Sequence, residues 1–336
     1  MLESVLIAID GRQDLAQAIL NSIKQIKTDP IVIDTVNSQK FSDGELCVDF
    51  TNSIRGKRVY LLTSPNNSDE IIKLNLAIDA AKRAAAKEIV AILPYFPYAR
   101  QDKKDQSRGP IGAKVMVEMI EHRGATGVIT FDLHADQIQG FFNIPVTHLE
   151  GKNVFDNYIA SIYNENTILC GPNEEIVLSS CDAGGVKRVK RMVTKLKEKH
   201  SMDVNYVVID KTRTKANSVE SVTIIGDVND KHVIIVDDMI DTFGSADKAV
   251  EALIEAGAKS VRMIASHGVL SGQALDRIAK SKLTELIISN SLQLNVLENH
   301  PVFNKIKVIS LETQIAYAIT SINSRSSFEK ISSNSW

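Results

Sequence analysis

Aromatic residues are scarce in this chain: they make up 5% of 336 residues, and only one is Trp. Cysteine is scarcer still. Cys47, Cys170 and Cys181 are odd in number and lack metal-ligand spacing, which excludes a disulfide framework or a four-cysteine zinc site and predicts a reducing compartment, the cytoplasm. No uninterrupted apolar run approaches the ~18–20 residues needed to span a bilayer, so no membrane segment is expected. The first ten residues, MLESVLIAID, lack a basic leader region and read as a buried strand rather than a signal peptide. Neither sign of charge dominates: 39 Lys and Arg against 41 Asp and Glu leave a net charge of −2, so no global field draws in nucleic acid. Walker A, GxGxxG, CxxC and nucleophile-elbow patterns are all missing, which argues against P-loop kinase chemistry.

What is present is ordinary globular material, 44% hydrophobic and 24% charged. At roughly 100–200 residues per domain, the length predicts two domains. Short β-branched runs alternate with amphipathic stretches throughout. Strands are expected at 4–10, 30–35, 58–64, 88–96, 126–133, 175–180, 205–210, 232–238, 260–267, 285–291 and 305–310, with helices at 15–26, 70–85, 113–122, 185–200 and 245–256. Several strands are apolar at consecutive positions, as when helices cover both faces of a parallel sheet. The expected fold class is therefore α/β, with two doubly wound parallel-sheet domains at 1–150 and 151–310. A C-terminal helix at 311–324 is expected to return to the first domain, leaving a polar tail at 325–336.

In open α/β sheets, ligands bind beyond the carboxyl ends of the strands. The segment VIIVDDMIDTFGSADKAVEAL runs from a buried strand through Asp237 and Asp238 into a turn, Asp241 to Ser245, and then into a helix. Backbone N–H groups at the helix start, the Thr242 and Ser245 hydroxyls and the permissive Gly244 suit a phosphate. An acidic strand end followed by a capped helix would look similar, but two strand-end acids exceed what capping requires. Because adjacent strand residues point to opposite faces, Asp237 and Asp238 are expected to have separate jobs. Asp182–Ala183–Gly184–Gly185 also follows a buried strand and opens a helix, and Asp132–Leu133–His134 ends another. The stretch from Arg100 to Arg108 carries four cations and two acids, and reads either as a solvated loop or as a lid that excludes water. Lys211 and Arg213, two apart in extended chain, share a face. The helix after Gly185 has seven Lys or Arg residues but an apolar stripe of Val186, Val189, Met192, Val193 and Leu196, so its cations are expected to solvate a surface.

The 237–245 segment resembles the phosphoribosyl-pyrophosphate (PRPP) loop of type I phosphoribosyltransferases and ribose-phosphate pyrophosphokinases. KFSDGELCVDF, YFPYARQDKKDQSRGPIGAK, VITFDLHADQIQGFFNIPVTHL, SSCDAGGVKRV, DKTRTKANSV and ASHGVLSG extend the resemblance to the pyrophosphokinases over about residues 1–320. It implies a PRPP synthetase that moves diphosphate from MgATP to ribose 5-phosphate. It further implies ATP contacts from Phe41, Asp43, Gly44, Glu45, Arg100, Gln101, Lys103 and Lys104, and ribose 5-phosphate contacts from Asp237, Asp238 and Asp241 through Thr242, Phe243, Gly244 and Ser245. The diphosphate loop would be Asp182, Ala183, Gly184 and Gly185. Magnesium would fall to His134, Asp182 and more weakly Asp132, and catalysis to Lys211 and Arg213. Ser53, Arg55 and Arg108 match regulatory positions, although the tail Ser326–Ser327–Phe328–Glu329–Lys330–Ile331 departs from the family's regulated form. Cys181 stands where a proline is usual, and Phe243 where a smaller residue is. A homo-oligomer, typically a hexamer, is implied. The long ARQDKK lid, Lys211 with Arg213 and the second α/β domain argue against a PRPP-consuming transferase, and the intact set of Lys211, Arg213, His134 and Asp182 argues against a non-catalytic regulatory subunit.

Overall fold

The computed structural model describes residues 2–9, 11–26, 31–164, 175–212, 221–294, 296 and 299–328. The apolar runs become sheet centres: β1 (Ser4–Ala8), β4 (Arg58–Leu62) and β6 (Gly127–Phe131) are buried at every position. That continuous burial is what a strand covered on both faces requires. The chain divides into two compact units, one of residues 1–149, 291–293 and 310–336, the other of 150–290 and 294–309.

In the first unit the remaining strands are β2 (Ile31–Lys40), β3 (Leu46–Phe50), β5 (Glu88–Leu93) and β7 (Val146–Leu149), in the sheet order β3-β2-β1-β4-β5-β6-β7. Every pairing is parallel except the β2–β3 hairpin. Helices α1 (Gln13–Ile26), α2 (Ser68–Arg83) and α3 (Gly112–Arg123) bury apolar stripes such as Leu15, Ala16, Ile19 and Ile23 of α1. The last helix, α8 (Glu312–Ser324), lies against α1. Its anchor is Asn323, whose Oδ1 accepts from Ser4 Oγ at 3.0 Å, Arg58 Nη1 at 2.8 Å and Tyr60 Oη at 2.8 Å. Arg58 is held from its other side by Glu88 at 2.6 Å.

The second unit has an all-parallel sheet in the order β15-β14-β13-β12-β8-β9. Its strands are β8 (Ile176–Ser179), β9 (Asn205–Tyr206), β12 (His232–Ile240), β13 (Ser260–Gly268), β14 (Glu285–Ser289) and β15 (Ile306–Ile309). Helices α4 (Lys152–Asn164), α5 (Val186–His200), α6 (Gly244–Glu255) and α7 (Ala274–Lys280) complete it. A separate antiparallel hairpin pairs β10 (Val208–Thr212) with β11 (Ser221–Ile225). The doubly wound α/β architecture is as expected. Within it β3 pairs antiparallel with β2, and β10 with β11. In the second sheet the chain winds outward from β8 to β9 on one side and from β12 to β15 on the other. The switch point lies between β8 and β12, and there the fold opens a crevice at the carboxyl ends.

Candidate active site

Two loops leave the carboxyl ends of β8 and β12, neighbouring strands in register from Ile176↔His232 to Ser179↔Ile235. Beyond β12 the turn 241–243 feeds α6. Asp241 accepts a hydrogen bond from Ser271 Oγ, and Arg277 Nη1 donates to the Thr242 carbonyl at 3.0 Å. Thr242 and Ser245 are exposed. Phe243 caps α6 with φ of 63°, in the left-handed region, and its ring is 3% exposed within the core cluster of this unit. Phe243 thus gives the 241–245 turn its backbone while its side chain packs in the core. A large residue is tolerated here because the turn sends the ring inward.

Asp237 and Asp238 do not separate as the alternation of strand faces suggested. Arg188, in the first turn of α5, meets both: Nη1 lies 2.9 Å from Asp237 Oδ1 and Nη2 lies 3.0 Å from Asp238 Oδ1. The planar guanidinium reaches around the strand end, so two carboxylates of opposite parity share one cation. Asp237 Oδ1 also accepts from the Asp238 amide at 2.9 Å, which curls it toward its neighbour. The side chain of Asp238 is 4% exposed and that of Asp237 24%. Burial, then the adjacent Asp238 carboxylate, raises Asp237 well above the ordinary carboxylate range, and the Arg188 charge opposes both.

Beyond β8, Asp182 caps its own turn by accepting from the Gly185 amide at 3.2 Å. Ser180 Oγ donates to the Asp182 carbonyl at 2.6 Å. A Cβ at Gly185 would lie 2.8 Å from Ser180 Cβ, so only glycine lets the turn close this tightly. Asp182, Ala183 and Gly184 are exposed, and α5 begins immediately after them. Strand β10 runs beside this turn, with Lys211 paired to Val222 in its backbone register. Arg213 lies outside the described residues.

The other predicted positions lie on the first unit. Phe41, 46% exposed, stands at the tip of the β2–β3 hairpin. That tip is closed by Phe41 N–H to Glu45 O at 2.8 Å, by Gly44 at φ of 94° and by the Asp43 carboxylate on the Glu45 amide at 3.0 Å. Arg100, Gln101, Lys103, Lys104 and Arg108 are exposed on a non-helical loop between β5 and α3. The backbone of Gln101 anchors that loop to α3 through the Ala113 amide at 3.1 Å. Asp132 is half-buried with φ of 30° and His134 is exposed. Ser53 and Arg55 flank the buried Ile54 in an exposed turn.

The profile described as the N-terminal domain of ribose phosphate pyrophosphokinase matches residues 4–124, and that described as the phosphoribosyl synthetase-associated domain matches residues 188–332. A ribose-phosphate pyrophosphokinase of Helicobacter hepaticus is 44% identical over 290 residues, 86% of this chain and 87% of that protein. The chain belongs to the ribose-phosphate pyrophosphokinase family. Ribose-phosphate pyrophosphokinase A of Dictyostelium discoideum is 43% identical over 83% of this chain and 84% of its own. The crystal structure of phosphoribosylpyrophosphate synthetase from Mycobacterium smegmatis superposes with a TM-score of 0.84 at 33% identity, covering 96% of this chain and 99% of that one.

Four residues of this pyrophosphokinase fold escaped the sequence reading: Arg188, Ser271, Arg277 and His148. His148 Nε2 accepts from the Leu133 amide at 3.0 Å, which fixes the backbone between Asp132 and His134. All four act across the fold on backbone or carboxylates set by other elements. For Arg188 the local signal is its place three residues after the glycine turn, which the other cations of α5 obscure.

Proposed function

We propose that this chain transfers the diphosphoryl group of ATP to the anomeric hydroxyl of ribose 5-phosphate, giving PRPP and AMP. The sugar oxygen attacks the β-phosphorus, the bond from that phosphorus to the oxygen bridging the α-phosphate breaks, AMP leaves, and the hydroxyl proton passes to solvent. The observation that carries the reading is the Asp237-to-Ser245 segment: an acidic strand end feeding a hydroxyl-lined helix start at the switch point of the second sheet. Amides at the start of α6 would hold the 5-phosphate, and the Asp237 carboxylate would accept from ribose hydroxyls. Phosphoryl transfer depends on positioning and on charge stabilisation. Lys211 and Arg213 would supply that charge, and the 182–185 turn would receive the diphosphate.

Phe41, Asp43, Gly44 and Glu45 would meet the nucleotide base, and Arg100, Gln101, Lys103 and Lys104 its phosphates, with the 100–110 loop closing to exclude water. Among the described residues no three His, Cys, Asp or Glu side chains converge into a protein-only metal cage. That fits magnesium, which binds through one or two carboxylates, water and substrate phosphates. Asp182 would hold it in the second unit, and His134 and more weakly Asp132 are the candidate ligands in the first; when bound it would neutralise the phosphates undergoing transfer. Ser53, Arg55 and Arg108 would take a regulatory anion. A homo-oligomer, hexameric by family likeness, and a cytoplasmic setting complete the proposal. Among the described residues no helix is long and apolar enough to cross a membrane.

Phosphorus NMR of the chain with magnesium, ATP and ribose 5-phosphate, at two inorganic phosphate levels, tests the reading. PRPP and AMP should appear in equal amounts only when both substrates are present, and EDTA should abolish the reaction. An inert chain that alters the kinetics of an active partner would point instead to a regulatory subunit, and loss of added PRPP dependent on a nucleobase to a transferase.

A further inference from the structure

Arg188 belongs to one loop by sequence and to another by contact. It lies in the first turn of α5, the helix whose start carries the 182–185 turn. Its guanidinium, however, is spent on the end of β12: Nη1 on Asp237 at 2.9 Å and Nη2 on Asp238 at 3.0 Å. The same Nη1 runs alongside the glycine turn, where a Cβ at Gly185 would meet it in ordinary contact at 3.9 Å. The side chain is 29% exposed, and the Asp238 side chain it contacts is 4% exposed, so this is not a solvent-screened surface pair. Two N–H groups of one planar fork bind two different residues, which fixes both the orientation of the guanidinium and the aim of the carboxylates.

We propose that Arg188 is a positioning residue that couples the two half-sites: whatever settles the diphosphate turn also sets Asp237 for the sugar, and the reverse. The proposal rests on the sugar and diphosphate roles given above. Diphosphate bound at the 182–185 turn would order the start of α5, and through Arg188 it would hold the Asp237 carboxylate in its receiving position. Coupling of this kind is reciprocal, so ribose 5-phosphate must strengthen nucleotide binding by the same factor. Lysine at this position would keep the positive charge and lose the fork, so it can hold one carboxylate but not both.

The test is calorimetric and uses the full chain with magnesium. Ribose 5-phosphate is titrated with and without an ATP analogue carrying a methylene bridge between its α- and β-phosphorus, for the parent, Arg188→Lys, Arg188→Met and Asp237→Asn. In the parent the analogue should tighten ribose 5-phosphate binding by about fivefold or more, within the usual range of coupling between sites. In Arg188→Lys that factor should fall toward one, while the analogue alone binds within about twofold of the parent; Arg188→Met should behave likewise wherever its melting curve shows it folded. A coupling factor unchanged in Arg188→Lys, or absent from the parent, overturns the proposal. Asp237→Asn separates the two levels of argument. If it leaves ribose 5-phosphate affinity unchanged, the sugar-site reading itself fails. If it weakens that affinity while Arg188→Lys retains full coupling, only the role of Arg188 fails.

Discussion

At the scale of single residues, Asp237, the proposed sugar ligand, is held at a cost to the fold. Its carboxyl is raised by burial and by Asp238 against the attraction of Arg188. An acid whose folded-state pKa exceeds its unfolded value binds more protons in the fold, so stability falls as pH climbs from the ordinary carboxylate range toward neutrality. Asp237→Asn should remove that slope. Its melting temperature at pH 7 should equal or exceed the parent's, and its dependence on pH should be flatter. Affinity for ribose 5-phosphate should meanwhile drop about 10- to 100-fold, as expected for losing a charge-assisted hydrogen bond. A variant melting several degrees lower at pH 7 would mean that the attraction to Arg188 outweighs desolvation. The acidic pair and the 241–245 turn were legible in sequence because strand-end and helix-start chemistry is local. The direction of the Phe243 ring and the reach of Arg188 depend on neighbours brought together only by folding, and nothing local encodes them.

At the scale of elements, buried parallel strands announced themselves through unbroken apolar runs, and helices through their stripes. The strands left unread are the ones that lack such runs. β3 is half-exposed along most of its length, β7 has four residues, and β11 belongs to a hairpin outside either large sheet. Period-2 patterns this short are not separable from loop sequence. Helix α8 shows how one side chain can gather several buried donors. Asn323 Oδ1 is the shared acceptor for Ser4, Arg58 and Tyr60, and Arg58 and Tyr60 are both buried. Asn323→Ala would leave Arg58 Nη1 and Tyr60 Oη with only the longer bonds to the Ile322 and Ile319 carbonyls, at 3.3 and 3.5 Å, a loss on the order of 1–3 kcal/mol in all. Urea unfolding should register that loss, and limited proteolysis should cut near residue 310 sooner than in the parent. An unchanged urea midpoint would show that water replaces the amide.

At the scale of the whole molecule, the first unit is not a continuous stretch of chain. It takes residues 291–293 and 310–336 from beyond the second unit, and α8 buries Gln314 through Ser321 in it. Residues 1–149 expressed alone should therefore aggregate, or show the broad, poorly dispersed amide spectrum of an unpacked core. The same stretch joined by a flexible linker to residues 310–328 should give a dispersed spectrum and a cooperative melt. A cooperative fold for 1–149 alone would show that the helix only decorates the unit.

The late return of α8 also bears on how the protein is made. Synthesis runs from the amino end, and domains ordinarily close in the order in which they emerge. Here the second unit takes in no residue beyond 309, whereas the first lacks α8 until residues 312–324 have been made. The unit translated first should therefore be completed after the unit that follows it, and until α8 is made the face of α1 that it covers stands open for chaperones to occupy.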